Sequence, residues 1–189
     1  MTTSVGLRAL AQWAGIVMPT LFVGMTAQES FTVQTYTQHA PPKVVAKQWL
    51  HLYQRGPYWV QPMVYSGVIS NGYLAWCSAE SSSQRSFYIA AGVLIFSILP
   101  VTFLIFEPGV NGACKWKAES LLADEGVNIL PFNGIPSAER QSAVPEAKSW
   151  AEKTGIEELV NTWGRLNNGR WVISLLAAMA SGYASFCLV

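Results

Sequence analysis

Charge is what this sequence has least of. Asp, Glu, Lys and Arg make up 12% of its 189 residues, about half the share found in an ordinary soluble domain. The deficit is concentrated, because Ala9–Gln28, Gly56–Ala79, Ser86–Phe106 and Trp171–Val189 hold none of the four. A net charge of +1 gives no electrostatic case for nucleic acid, which needs a clustered basic face. The three cysteines, Cys77, Cys114 and Cys187, supply neither a disulfide framework nor zinc spacing. Only two histidines, His39 and His51, are present. With no His-Glu-x-x-His and only scattered acids, they argue against a metal site. Patterns for a P-loop, Gly-x-Gly-x-x-Gly, Cys-x-x-Cys-His and Gly-x-Ser-x-Gly are also missing, so no nucleotide, flavin, haem or serine-hydrolase signature is visible. Any chemistry is expected to need no bound cofactor.

What is abundant is apolar sequence, 51% of the chain. Each uncharged window matches the roughly 20 residues needed to cross a hydrocarbon core of about 30 Å. The expectation is an all-α integral membrane four-helix bundle, one domain over residues 1–189, with spans at about 8–28, 58–79, 86–106 and 170–189. Backbones in lipid must satisfy their own hydrogen bonds, which makes the spans helical. The first window exceeds the apolar core of a secretory signal and lacks a tidy cleavage site, so it reads as a retained span.

Four spans put both chain ends on one side with the short turn Glu80–Arg85. The long connections, residues 29–57 and 107–169, share the other side, and the second is expected to contain short helices. Those connections and their borders hold ten of the twelve Lys and Arg residues, against Arg8 and Arg85 opposite. That bias places the connections in the cytosol. Small residues such as Gly67, Ser70, Gly72, Ala177 and Ser181 allow close helix packing, as monomer or homo-oligomer. Pro19 and Pro100 are expected to bend the first and third spans.

In the second connection, Asn111 is placed to cap a helix running to about Asp124, where Gly126 stops it. Pro131–Ser137 reads as turns. Thr154 with Glu157 forms a capping-box pattern that opens a helix toward the fourth span. On that helix Trp163, Asn167, Arg170 and Ser174 fall in one stripe. Arg170 and Asn167 suit an oxyanion and Trp163 an aromatic ring; interfacial anchoring explains the same stripe. In FLIFEPGVNGACKWK, Phe103–Lys117, proline after Glu107 disfavours helix there, so the third span is expected to end at Glu107 and turn through Gly109. A Glu107–Arg170 pair then becomes geometrically possible, as structural glue or as part of a site. His51, beside Trp49, Tyr53 and Tyr58, is the other candidate base, and a plain surface histidine is the alternative.

Several blocks resemble the small fungal four-helix membrane proteins of the DUF1772 group, whose best-known members are anthrone oxygenases of aromatic polyketide pathways. They are WLHLYQRGPYWVQPMVYSGVISNGYLA (49–75), ILPVTFLIFEPGVNGACKWK (98–117), LVNTWGRLNNGRW (159–171) and a first span with a mid-helix proline. The resemblance implies oxidation of an anthrone to an anthraquinone by O2, without metal or flavin, through an enolate formed by base. The roles expected for that chemistry are assigned from the residues. His51 is the base, with Glu107 as rival, and Arg170 and Asn167 stabilise the enolate. Trp163, Trp116 and Tyr53 line the slot, while Asn111 and Lys115 shape the turn or orient the acid. The expected partners are a small aromatic polyketide, O2 and the lipid bilayer, in the endoplasmic reticulum. The alternatives are cyclisation or another oxidation of a different polyketide or meroterpenoid, and a non-catalytic scaffold that seats pathway enzymes.

Overall fold

A computed structural model describes residues 2–80 and 82–188, so Ser81, in the expected turn, and Val189, ending the fourth expected span, lie outside the described residues. Six α-helices follow in order: α1 (Thr2–His39), α2 (Pro42–Cys77), α3 (Ser83–Val101), α4 (Gly112–Leu122), α5 (Pro145–Lys153) and α6 (Ile156–Phe186). A π-helical segment, Thr102–Asn111, joins α3 to α4, and a single 3-10 turn, Ala123–Glu125, follows α4. Among the described residues the only strand-like pairing is one bridge between Leu130 and Arg140. The chain is all-helical.

The first connection is not a loop. No Gly or Pro occurs between Gly24 and Pro41, so nothing interrupts α1 before His39. Pro41 then disfavours helix at Ala40, and Pro42 occupies the first position of α2, where its missing N–H costs nothing. The Pro41 carbonyl accepts from Val44 N–H at 2.9 Å and Val45 N–H at 3.0 Å. Residues 29–57 are therefore two helical extensions around a two-residue break.

The third helix also outruns its expected end. Instead of turning at Glu107, the backbone widens into π-helical turns and passes Pro108 with non-helical angles only at Gly109 (φ −92°, ψ −110°). Proline removes one donor and crowds the preceding turn, and an inserted residue is the usual accommodation. The Gly112 N–H goes to the Gly109 carbonyl, leaving the Pro108 carbonyl for Val144 N–H at 3.2 Å. Asn111 has helical angles and makes no capping bond. The stop after α4 falls where expected, with Gly126 left-handed at φ 76°. At the start of α6 the first bond runs from Leu159 N–H to the Gly155 carbonyl at 3.2 Å, so Gly155 rather than Thr154 precedes the helix, which begins at Ile156.

Two compact units emerge. The first comprises the chain up to Ala27, Trp59–Ile98 and Gly169 onward; the second comprises Gln28–Tyr58 and Leu99–Asn168. The first unit turns large apolar side chains outward, with Ile69, Trp76, Phe96 and Met179 exposed. Its interior mixes small and polar residues, including Asn71, Ser174, Ala177 and Ser181, with larger apolar ones such as Phe22, Leu74, Tyr88 and Ile95. Pro19 has no N–H for the Gly15 carbonyl, and Asn71 Nδ2 approaches that carbonyl at 3.4 Å while bonding its own Gly67 carbonyl at 2.9 Å. Ser174 donates to the Pro19 carbonyl at 3.0 Å. Two helices, Val5–His39 and Ser83–Glu125 taken as one run, are long and apolar enough to cross a membrane. The second unit has an ordinary aromatic and aliphatic core around Trp49, Phe106, Leu159 and Trp163.

Candidate active site

The polar centre of the second unit is Glu107, which is 4% exposed. By continuing as helix through Pro108, the chain puts Glu107, Asn111 and Lys115 four residues apart on one side of the run. Asn111 Nδ2 donates to Glu107 Oε1 at 2.9 Å, and Lys115 Nζ donates to Oε2 at 2.9 Å. From α2, the Tyr53 hydroxyl donates to Oε1. Ser142, in the strap before α5, has its Oγ 2.6 Å from the Glu107 carbonyl oxygen and 3.0 Å from Oε2. Its single proton serves one of these at a time.

Lys115 is completely buried, which is costly for an ammonium unless every proton is placed. Here every proton is. Besides Glu107, the ammonium donates to the Ser137 carbonyl at 3.0 Å and the Arg140 carbonyl at 2.6 Å. Both carbonyls belong to the strap, so one cation ties α4, the acid and the connection together. The strap lies close over the start of α4, where Gly112 has no room for a Cβ: one would stand 2.5 Å from Ala143 Cα.

Aromatic rings pack beside the acid. Tyr53 stacks parallel on Trp49 with ring centroids 4.8 Å apart, and Trp163 meets Trp49 edge-on at 6.2 Å. Among the described residues, Trp49 Nε1, a donor, and Asn111 Oδ1, an acceptor, are buried without a hydrogen-bond partner, as is the Tyr36 hydroxyl. The Asn111 amide is oriented by chemistry, because an ionised carboxylate can only accept and so must face Nδ2.

The structure thus brings together Tyr53, Glu107, Asn111 and Lys115, with Trp163 attached through Trp49. Other expected site residues lie elsewhere. His51 is exposed and, two residues from Trp49 and Tyr53, projects about 200° around α2 from them. Trp116 is half-buried, with Lys148 Nζ 4.4 Å from its ring centroid. Asn167 is fully buried and donates from Nδ2 to Ser30 Oγ at 3.3 Å, joining α6 to α1 in the second unit. Arg170 belongs to the first unit, where its guanidinium lies 5.5 Å from the Phe22 ring centroid. An open surface depression lined by Pro145, Glu146, Ser149, Trp150 and Lys153 contains none of the expected residues. Among the described residues no group of three or more His, Cys, Asp and Glu stands together as a metal site.

The sequence profile of the anthrone oxygenase family matches residues 49–180, well over half the chain. The chain belongs to the anthrone oxygenase family. No curated protein and no solved structure matches it. Membership in the anthrone oxygenase family indicates oxygenase-type, oxidoreductase chemistry, and the two long apolar helices indicate association with a membrane. Trp49, Tyr53, Glu107, Asn111, Lys115, Ser142 and Trp163 all fall inside the matched segment.

Sequence reasoning missed Ser142 and the strap carbonyls, for which no spacing signal exists. Asn71 was also missed, although an amide inside an uncharged window is itself a signal.

Proposed function

We propose that this anthrone oxygenase family member oxidises a hydroxylated anthrone to the anthraquinone with O2, using Glu107 as the acceptor of the substrate's proton. The observation that carries the reading is the buried Glu107 with its four donors, assembled beside stacked aromatics within the family-matched segment. Anthrone carries acidic benzylic hydrogens next to an aromatic ketone. Loss of one gives an extended enolate that transfers an electron to O2 directly, so the protein has to supply a base, polar partners for oxygen atoms and an aromatic surface. Lys115 and Asn111 donate to the acid and aim it. Trp49 Nε1 and Asn111 Oδ1 are buried polar atoms without a partner beside the acid.

Of the two bases legible in the sequence, exposure and direction on α2 disfavour His51 and favour Glu107. The reading further takes the first unit as four spans in a bilayer, with the connections cytosolic and the endoplasmic reticulum as the membrane. The outward apolar faces of α2 and α6 support this: their mean hydropathy combines that face with an inner one of small and polar residues. Membranes carrying wild-type protein should convert emodin anthrone faster than its spontaneous oxidation, with one O2 consumed per quinone. Glu107→Gln is expected to lower kcat by about 10²-fold or more, and far more than His51→Ala does. Wild-type turnover at the spontaneous rate would favour the scaffold reading instead.

A further inference from the structure

Glu107 has no open face for a substrate. Both of its oxygens are occupied by donors and the residue is buried, so a proton must reach it through one of those donors. Lys115 is sealed, with all three protons committed. Asn111 is buried and donates an amide N–H, which does not exchange its proton with a substrate at ordinary pH. The Ser142 hydroxyl is shared between the backbone and side-chain oxygens of Glu107 itself. Tyr53 remains. It is only half-buried, its ring is fixed by the stack on Trp49, and its hydroxyl proton points at Oε1.

We propose that Tyr53 is a catalytic residue that relays the substrate's proton to Glu107, an assignment that rests on the oxygenase reading above. At rest the proton stays on Tyr53, whose hydroxyl donates to Oε1 while Asn111 and Lys115 donate to the same carboxylate. When the benzylic C–H bond breaks, its electron pair enters the ring system as enolate. The substrate's proton passes to the Tyr53 oxygen as the Tyr53 proton passes to Glu107 Oε1. No free phenolate accumulates. Lys115 keeps its two strap carbonyls while the carboxyl is neutral, so the ammonium is never left bare.

The enolate then gives one electron to O2, and the carbon radical and superoxide combine through a new C–O bond. The resulting peroxide anion takes back the proton from Glu107 through Tyr53. A second proton removed from the same carbon expels hydroxide as the O–O bond breaks and the carbonyl forms. Hydroxide and that proton leave as water, which balances anthrone plus O2 against anthraquinone plus water.

The test uses full-length wild type, Tyr53→Phe and Glu107→Gln in membranes, assayed with emodin anthrone over a range of pH above the spontaneous background. Detergent-solubilised samples are melted in parallel to show that each variant is folded. Tyr53→Phe keeps the ring and its stack. The relay predicts a fall in kcat of about 10²-fold to 10⁴-fold with a much smaller change in KM. In both variants the deficit should shrink as pH rises and the substrate arrives already ionised. A folded Tyr53→Phe protein with wild-type kcat, or with a loss confined to KM and equal at every pH, overturns the relay and leaves the oxygenase reading standing. Wild-type membranes no faster than background would overturn both.

Discussion

At the scale of single residues, Lys115 is the group on which the site depends. A buried ammonium with three placed protons cannot lose its partner cheaply, and neither can the carboxylate. Lys115→Met leaves Glu107 buried without its counter-ion and two strap carbonyls without a donor. It is expected to cost about 3–5 kcal/mol, measured by denaturant titration in detergent. The double variant Glu107→Leu with Lys115→Met should lose less than the sum of the single changes, because it removes both charges together. Glu107 itself was legible as a carboxylate at the end of an apolar run, and Asn111 and Lys115 as residues that would shape the turn or orient the acid. Tyr53, 54 residues away, carried only an aromatic signature. A phenol's direction depends on which helix packs beside it.

Among the elements, the π-helical segment does the most. An ordinary helix end at Glu107 would have sent Asn111 and Lys115 off along a turn. The widened turns keep both over the acid and open the Pro108 carbonyl to the strap. Proline at 108 made a stop the natural expectation, but the kink cost less than abandoning the helix once Val110, Ala113, Cys114 and Ala118 were buried. Gly112→Ala places a methyl group against Ala143 and is expected to destabilise by about 1–3 kcal/mol. Amide exchange should quicken in residues 137–144, read by hydrogen–deuterium exchange. In the first unit, Asn71→Ala removes the amide that approaches the Gly15 carbonyl. Interhelical hydrogen bonds of this kind average about 0.6 kcal/mol and reach about 1.7, so a small loss in a detergent unfolding assay is the expected result.

For the whole molecule, the first unit carries large apolar side chains on its outside and packs small and polar groups among buried apolar ones, a pattern suited to a lipid surround. The proposed four spans would place Glu80 and the chain ends on one side and Asp124 on the other. An impermeant maleimide applied to sealed microsomes should label Asp124→Cys from outside, and Glu80→Cys only after the vesicles are opened. Labelling of both from the same side would end the four-span arrangement. Here residues 29–57 depart most from expectation, being two helical extensions rather than a loop, whereas helices within residues 107–169 were expected and the core they share with residues 29–57 was not. Hydropathy sees only that they are too polar to span.

The sequence alone determined helicity, the four uncharged windows and the family, since these are properties of composition, periodicity and local pattern. Tertiary structure decided that the cation on Glu107 is Lys115, where the sequence also offered Arg170, that Tyr53 rather than His51 faces the acid, and that Ser142 closes it. Side chains 35 and 54 residues from Glu107 come into hydrogen-bonding range only when helices pack, and no one-dimensional pattern records which neighbours packing selects.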